Sequence, residues 1–124
     1  MNSKLNKNQL ERFSRQIVLK NIGILGQRKI IQSKVLIIGM GGLGCPVAEF
    51  LTRAGIGTLG IVDCDNVDLS NIHRQSLYNV GDIKKSKVLI AKRKLKKINS
   101  KTNIISHKIR INKNNLTKII KEYD

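Results

Sequence analysis

The chain is short of the groups that would build a disulfide scaffold, a zinc cluster, an aromatic nucleic-acid platform or a membrane span. Its only cysteines are Cys45 and Cys64 among 124 residues. Two thiols cannot make a disulfide framework or a four-ligand zinc site, so both are expected to be reduced. Aromatic residues make up 3% and tryptophan is absent, leaving Phe13, Phe50, Tyr78 and Tyr123. A sheet that stacks RNA bases needs more exposed rings than that. Acidic residues number 8 against 24 Lys and Arg, a net charge of +16. Such a field attracts nucleic acid or an acidic partner at range. The excess of Lys runs with an excess of Ile and Asn, however, which reads as compositional bias, and nucleic acid is not the expected partner. The apolar stretch LIIGMGGLG is broken by glycines, and nothing approaches the ~18 residues that cross a bilayer. No membrane association is expected. The opening MNSKLNKNQLERFSRQ is polar and holds no apolar signal core, which makes the cytoplasm the expected location.

The apolar pattern that is present alternates between two periods. Leu10, Phe13, Ile17 and Val18 recur at helical steps and predict one amphipathic helix over 8–20, with a second short helix over 24–33. Lys34–Ile38 is a continuous apolar run bounded by glycine, expected to be a fully buried central strand. After the glycines, CPVAEFLTRAG predicts a helix with Val47, Phe50, Leu51 and Ala54 on its apolar side, Pro46 in its first turn and Gly55 as its stop. Thr58–Val62 is a second strand, making a right-handed βαβ unit of parallel strands. Ser86 is placed to cap a helix reaching Ile98, with Val88, Ala91, Leu95 and Ile98 inward and Lys87, Lys92, Arg93, Lys94, Lys96 and Lys97 on the other faces. Residues 103–109 predict a third strand and 116–121 a last helix. The expected fold class is therefore α/β, a Rossmann-like three-layer fold with a mostly parallel sheet, truncated after about three strands and preceded by N-terminal helices. The expected division is a helical segment over 1–33 and a truncated Rossmann-like domain over 34–124. A pattern of this kind is expected to continue into a fourth strand, because three strands leave an edge open.

The chemistry starts at GMGGLG. Gly39, Gly41 and Gly44 stand directly after a strand and open a helix, where a tight turn and a helix N-terminus present backbone N–H groups to phosphate. Asp63 follows Gly44 by 19 residues, at the end of the next strand, where a carboxylate accepts hydrogen bonds from ribose hydroxyls. Ser70–Gln75, SNIHRQ, then delivers Asn71, Arg74 and Gln75 from a loop, and Lys87 opens the basic helix. A bridging pyrophosphate needs little beyond the loop and the helix dipole; a triphosphate calls for further cations, a role that suits Arg74 and Lys87. Asp63, Asp65 and Asp68 do not match a calcium loop, since Val67, Asp68 and Arg74 fall where it needs an oxygen ligand, a glycine and a glutamate. Cys45 is expected to pack behind the glycine loop and Cys64 to face the core. His73 and His107 have no partner at metal or triad spacing, and no metal-ligand set is expected in the chain.

Five segments, RFSRQIVL, GMGGLGCP, IVDCDNVDLSNIHRQSLY, DIKKSK and KKINS, fall in the order in which they resemble the ThiF, MoeB and HesA family of adenylyltransferases, related to ubiquitin-activating enzymes. The resemblance covers about residues 10–124. It implies an ATP-binding Rossmann-like fold that uses ATP with Mg²⁺ to activate the C-terminal carboxylate of a ubiquitin-like sulfur-carrier protein of the ThiS or MoaD kind, giving an acyl adenylate and pyrophosphate. On matching positions it puts phosphate on Gly42 with Gly39, Gly41 and Gly44, the ribose on Asp63, and the triphosphate on Asn71, Arg74 and Lys87. Asp65, Ser70 and Gln75 belong to the same motif. Arg15 matches the arginine that family dimers insert into the neighbouring subunit's site, so the implied catalytic set is Arg15, Arg74 and Lys87. Lys84 and Ser86 replace a usual glycine and a frequent proline. The family's magnesium-binding aspartate lies on the strand that would follow Asp124, so the Mg²⁺ ligand is not expected in this chain. Activity is accordingly expected only if the missing half is supplied by a second chain or if the chain is a fragment of a longer product, and the expected protein partner besides the carrier is a second copy in a homodimer or a complementing C-terminal-half polypeptide. Two other readings are a noncatalytic nucleotide-binding or dimerisation subunit and an NAD(P)-binding Rossmann protein; the cations of SNIHRQ argue against the latter.

Overall fold

The computed structural model describes residues 4–124. Three strands, β1 (Lys34–Ile38), β2 (Thr58–Val62) and β3 (Asn103–His107), lie parallel in the order β1-β2-β3. Lys34 stands beside Thr58, and Thr58 beside Asn103. Parallel neighbours need a crossover, and helices α4 (Gly44–Ala54) and α5 (Lys87–Ile98) supply the two of them. Both helices pack on one face of the sheet and on each other. There Leu59 and Ile61 of β2 join Cys45, Ala48, Val88, Ala91 and Leu95 in the core. Alternate residues of a strand point to the opposite face. On that face Gly60 leaves room for the ring of Tyr123, which follows α6 (Lys113–Ile120) and closes the third layer. The α/β class and the Rossmann-like three-layer arrangement read from the pattern are those observed.

Three helices precede the sheet: α1 (Lys7–Arg12), α2 (Ser14–Ile17) and α3 (Gly23–Gln32). The single helix expected over 8–20 is interrupted at Phe13, whose backbone sits at φ −103°, ψ 14°. The reason is tertiary. Gly55 ends α4 at φ 93°, and the Phe13 ring occupies the space where a Cβ at that glycine would project. Gln16 and the fully buried Gln27 then both donate to the Ala54 carbonyl, at 3.1 and 2.9 Å. A carbonyl left without a partner at a helix end is thereby satisfied, and the N-terminal helices are seated on the C-terminal end of α4.

Further expectations are corrected. β1 is an edge strand among the described residues, exposed at Lys34 and Ile38, whereas the central strand is β2, buried from Leu59 to Val62. Lys34–Ile38 is the more apolar of the two runs, so composition ranks them the wrong way. The side of α4 turned to the core carries the small residues Cys45, Ala48 and Thr52, while Val47 and Phe50 are exposed. Small side chains let the helix lie close to its neighbours, and the Thr52 hydroxyl is satisfied on the Ala48 carbonyl at 2.8 Å. Helical periodicity fits either stripe. The third strand stops at His107, and α6 starts at Lys113, capped by Asn112.

Phe13→Ala should cost about 3 kcal/mol of unfolding free energy in urea denaturation, the usual range for an emptied aromatic site. A loss below about 1 kcal/mol would show that this ring does not hold the N-terminal helices on α4.

Candidate nucleotide-binding site

The site is built where β1 gives way to α4. Gly39 leaves the strand at φ 97°, with its N–H still on the Val62 carbonyl at 2.8 Å. Gly44, the first residue of α4, lies so close to the Gly39 carbonyl that no Cβ fits there. Between them, Met40 is fully buried and held at both ends of its backbone. Its N–H donates to Asp63 Oδ2 at 2.8 Å, and its carbonyl accepts from Tyr78 Oη at 2.7 Å and from Cys45 Sγ at 3.6 Å. The other Asp63 oxygen accepts the Asp65 N–H at 2.8 Å. Asp63 at the end of β2 thus fixes the glycine loop and its own strand exit together.

Burial pushes the Tyr78 hydroxyl well above the usual phenol range, so it remains a protonated donor. Burial also pushes the Cys45 thiol up, against the weaker opposing effects of nearby hydrogen bonds and the Lys87 charge. Cys45 is therefore a packed thiol behind the loop rather than a nucleophile.

Asp68 caps a 3₁₀ turn over Leu69–Asn71. Its Oδ1 accepts the Ser70 hydroxyl at 2.6 Å and the Ser70 N–H at 2.8 Å. These two bonds, the hydroxyl first, hold the Asp68 carboxyl below the usual carboxylate range. Asn71 Oδ1 accepts the Asp68 N–H at 2.8 Å. Ser70 and Asn71 therefore shape the turn, and the two residues that reach the loop are Arg74 and Gln75. Side-chain atoms of Arg74 lie 3.6–3.8 Å from where a Cβ would stand at Gly42, and Gln75 Nε2 lies 3.5 Å from the same position at Gly41. Arg74 is exposed, with Nη1 on the Ser70 carbonyl at 2.9 Å. Gln75 is buried, and its Oε1 has no hydrogen-bond partner.

Lys87 is not on a solvated face of α5, as its place among the helix lysines suggested; its side chain is 7% exposed and its ammonium stands 3.9 Å from Asp65 Oδ2. A buried cation facing one distant carboxylate is under-compensated, which favours an anion beside it. Ser86 is the residue before α5, but its hydroxyl makes no capping bond and is buried without a partner. Cys64 is half-buried rather than turned to the core, with its Sγ 3.5 Å from Asp65 Oδ1. His107, which the sequence left without an assigned role, meets Tyr123 Oη at 3.1 Å.

The structure thus brings Gly39, Gly41, Gly42, Gly44, Asp63, Arg74 and Gln75 to one mouth of the sheet, with Asp65 and Lys87 beside Asp63. Arg15 is not among them. It is exposed on α2, at the C-terminal end of α4, while the loop is at the N-terminal end. Eleven residues of helix, about 16 Å, lie between. Residues 109–111, absent from the expected set, line a groove of about 300 Å³ with Ile38, Val62, Asp63 and Asp65. Met40 and Tyr78 were missed as well; a hydroxyl that bonds a backbone carbonyl 38 residues away leaves no local signal.

A glycine loop, two cations and a helix N-terminus at the carboxyl ends of parallel strands define a nucleotide-site class of α/β protein. The sequence profile of the ThiF family matches residues 13–124, and the chain belongs to that family. It is 43% identical over 122 residues to the adenylyltransferase and sulfurtransferase MOCS3 of Aedes aegypti, covering 98% of this chain and 28% of that protein. It is 36% identical over 118 residues to the sulfur carrier protein adenylyltransferase of Thermus thermophilus, covering 95% of this chain and 44% of that one. The crystal structure of E. coli MccB with ATP superposes with a TM-score of 0.78 at 32% identity, over 94% of this chain and 35% of that one. The chain therefore spans between about a quarter and a half of the length of these relatives.

Tyr78→Phe keeps the ring and removes the bond to Met40. It should lower unfolding free energy by about 1–2 kcal/mol, the cost of a buried carbonyl left with only the weak Cys45 thiol as donor, read by urea denaturation. An unchanged midpoint would show that the loop does not depend on this hydroxyl.

Proposed function

We propose that the chain is the nucleotide-binding part of an ATP-dependent adenylyltransferase that activates the C-terminal carboxylate of a ubiquitin-like sulfur-carrier protein in the cytoplasm. The observation that carries this reading is the approach of Arg74 to Gly42 and of Gln75 to Gly41, with the buried Lys87 ammonium beside Asp65. The loop amides and the α4 N-terminus suffice for a bridging pyrophosphate; the two additional cations suit a triphosphate. The unpartnered Gln75 Oε1 is the kind of buried atom that a polar ligand or its water satisfies. The names of two relatives, both adenylyltransferases and one of them acting on a sulfur carrier protein, support the same reaction.

In this reading the amides of Gly41, Gly42 and Gly44 hold phosphate oxygens and Asp63, with lone pairs left beyond its two backbone bonds, accepts a ribose hydroxyl. Ser70 and Asn71 hold the turn that aims Arg74. The carrier's carboxylate attacks the α-phosphorus of ATP, the bond to the β-phosphate oxygen breaks, and Arg74 and Lys87 neutralise the departing pyrophosphate. Arg15 serves a second copy of the chain. Leu43, just before α4, and Val47 and Phe50 on it are exposed and offer such a copy an apolar face to pack on. This chain's acidic cluster does not suit Mg²⁺. Asp63, Cys64 and Asp65 offer ligand atoms within 4.8 Å of one another, but one is a thiol, Asp63 already serves two N–H groups and Asp65 faces Lys87.

ATP should raise the melting temperature in a concentration-dependent way where NAD⁺ does not. Arg74→Ala should weaken ATP binding by about 10- to 100-fold, the size of a lost charge-assisted contact. Pyrophosphate exchange should appear when a carrier protein and a C-terminal-half polypeptide are supplied. Stabilisation by NAD⁺ instead of ATP would overturn the reading. ATP binding without exchange in the assembled complex would make the chain a noncatalytic subunit.

A further inference from the structure

The positive charge is not spread evenly over the chain. Residues 83–121, which include α5, β3 and α6, hold no Asp or Glu and more than half of the 24 Lys and Arg. β3 is the edge of the sheet on that side. In a parallel ladder each residue sends its N–H and its carbonyl to the same side, alternating along the strand. Asn103 donates to the Gly57 carbonyl at 2.8 Å and the His107 carbonyl accepts from Asp63 at 3.2 Å, so residues 103, 105 and 107 face β2. Thr102, Ile104 and Ser106 face outward. The Thr102 carbonyl accepts Lys96 Nζ at 2.7 Å. Among the described residues the backbone N–H and carbonyl groups of Ile104 and Ser106 have no partner.

The Lys96 bond fixes which flank of α5 borders this edge. Lys92 lies one turn earlier on the same flank, half-buried like Lys96, and Leu89, 57% exposed, continues it. Lys94 is held by Asp82 on the other flank. Lys108 follows the end of β3 and is exposed. The edge is thus an unpaired stretch of backbone bordered by lysines, with no carboxylate in its own segment to balance them. Unpaired strand edges are templates for another strand, and lysines beside one keep like-charged strands away. A second copy of this edge brings the same lysines and is repelled, whereas an acidic strand is attracted. We propose that the outer edge of β3 docks an extended acidic segment of another protein. Its backbone pairs with Ile104 and Ser106, and its carboxylates on the side turned to α5 face Lys92 and Lys96. A phosphate backbone meets the lysines too, but it brings only acceptors and leaves the two carbonyls unpaired, so a polypeptide is the better occupant. The docking does not rest on the nucleotide reading.

Amide exchange, followed by NMR on the 124-residue chain, separates the two sides of β3. In the free chain Ile105 and His107 are protected by β2, and Ile104 and Ser106 exchange faster. An eight-residue peptide alternating Glu with Val, in large excess, should slow Ile104 and Ser106 by at least about tenfold and leave Ile105 and His107 unchanged. The same peptide with Lys in place of Glu should slow neither. In a chain carrying Lys92→Glu and Lys108→Glu the acidic peptide should lose its effect, while Ile105 and His107 stay protected as the sign of an intact sheet. No slowing by the acidic peptide, or equal slowing by both peptides, would overturn the proposal, and so would slowing that survives the double substitution. A ten-nucleotide oligouridylate is the remaining arm. If it alone perturbs the Ile104 and Ser106 amides, the face takes phosphate and the docking of a protein strand is wrong.

Discussion

The backbone of Met40 is held between an aspartate and a tyrosine, and the rest of the site depends on that clamp. A loop rich in glycine has many conformations to lose, and its amides point at a ligand only if something fixes them. Asp63 takes the Met40 N–H and Tyr78 supplies the donor for its carbonyl. One partner belongs to the end of β2 and the other to the long connection before α5. The loop is thereby tied to two separate parts of the fold, and the fully buried Met40 side chain anchors it from below.

The connection that brings Tyr78 also brings the cations. Its shape is set by acids and amides acting on the backbone: Asp68 caps the turn that aims Arg74, and Asn79 caps the next one. Asp82 then ties this connection to α5, with Lys94 at 2.6 Å and Arg93 at 3.4 Å. Burial acts to raise the Asp82 carboxyl, but the Lys94 and Asn79 bonds and the two positive charges outweigh it and hold the group below the usual carboxylate range. Arg74 and Lys87 stand at the glycine loop and beside Asp63; most of the other cations lie on exposed or half-exposed helix faces, where they set the field around the molecule rather than any one contact.

Much of this was legible in the sequence where the signal is local. The runs Lys34–Ile38 and Thr58–Val62, the glycine turn between them and the Gly55 stop are each specified by neighbours in the chain, and each appears as expected. What failed was decided by tertiary contact. The break at Phe13 exists because a ring must enter the space beside Gly55. The rank of β1 and β2 depends on which strand is flanked twice, and the core side of α4 depends on small residues that periodicity weighs too lightly. At the site, Arg74 and Gln75 were legible through their motif, whereas Lys87 was half-hidden among surface lysines and Tyr78 looked like any core aromatic.

In the proposed function the amides of the glycine loop and the guanidinium of Arg74 address one ligand. The most direct test is an NMR titration of the 124-residue chain with ATP. The amide signals of Gly41, Gly42 and Gly44 and the side-chain Nε signal of Arg74 should move together along a single saturating curve. Shifts that saturate elsewhere on the sheet while these four stay in place would contradict it.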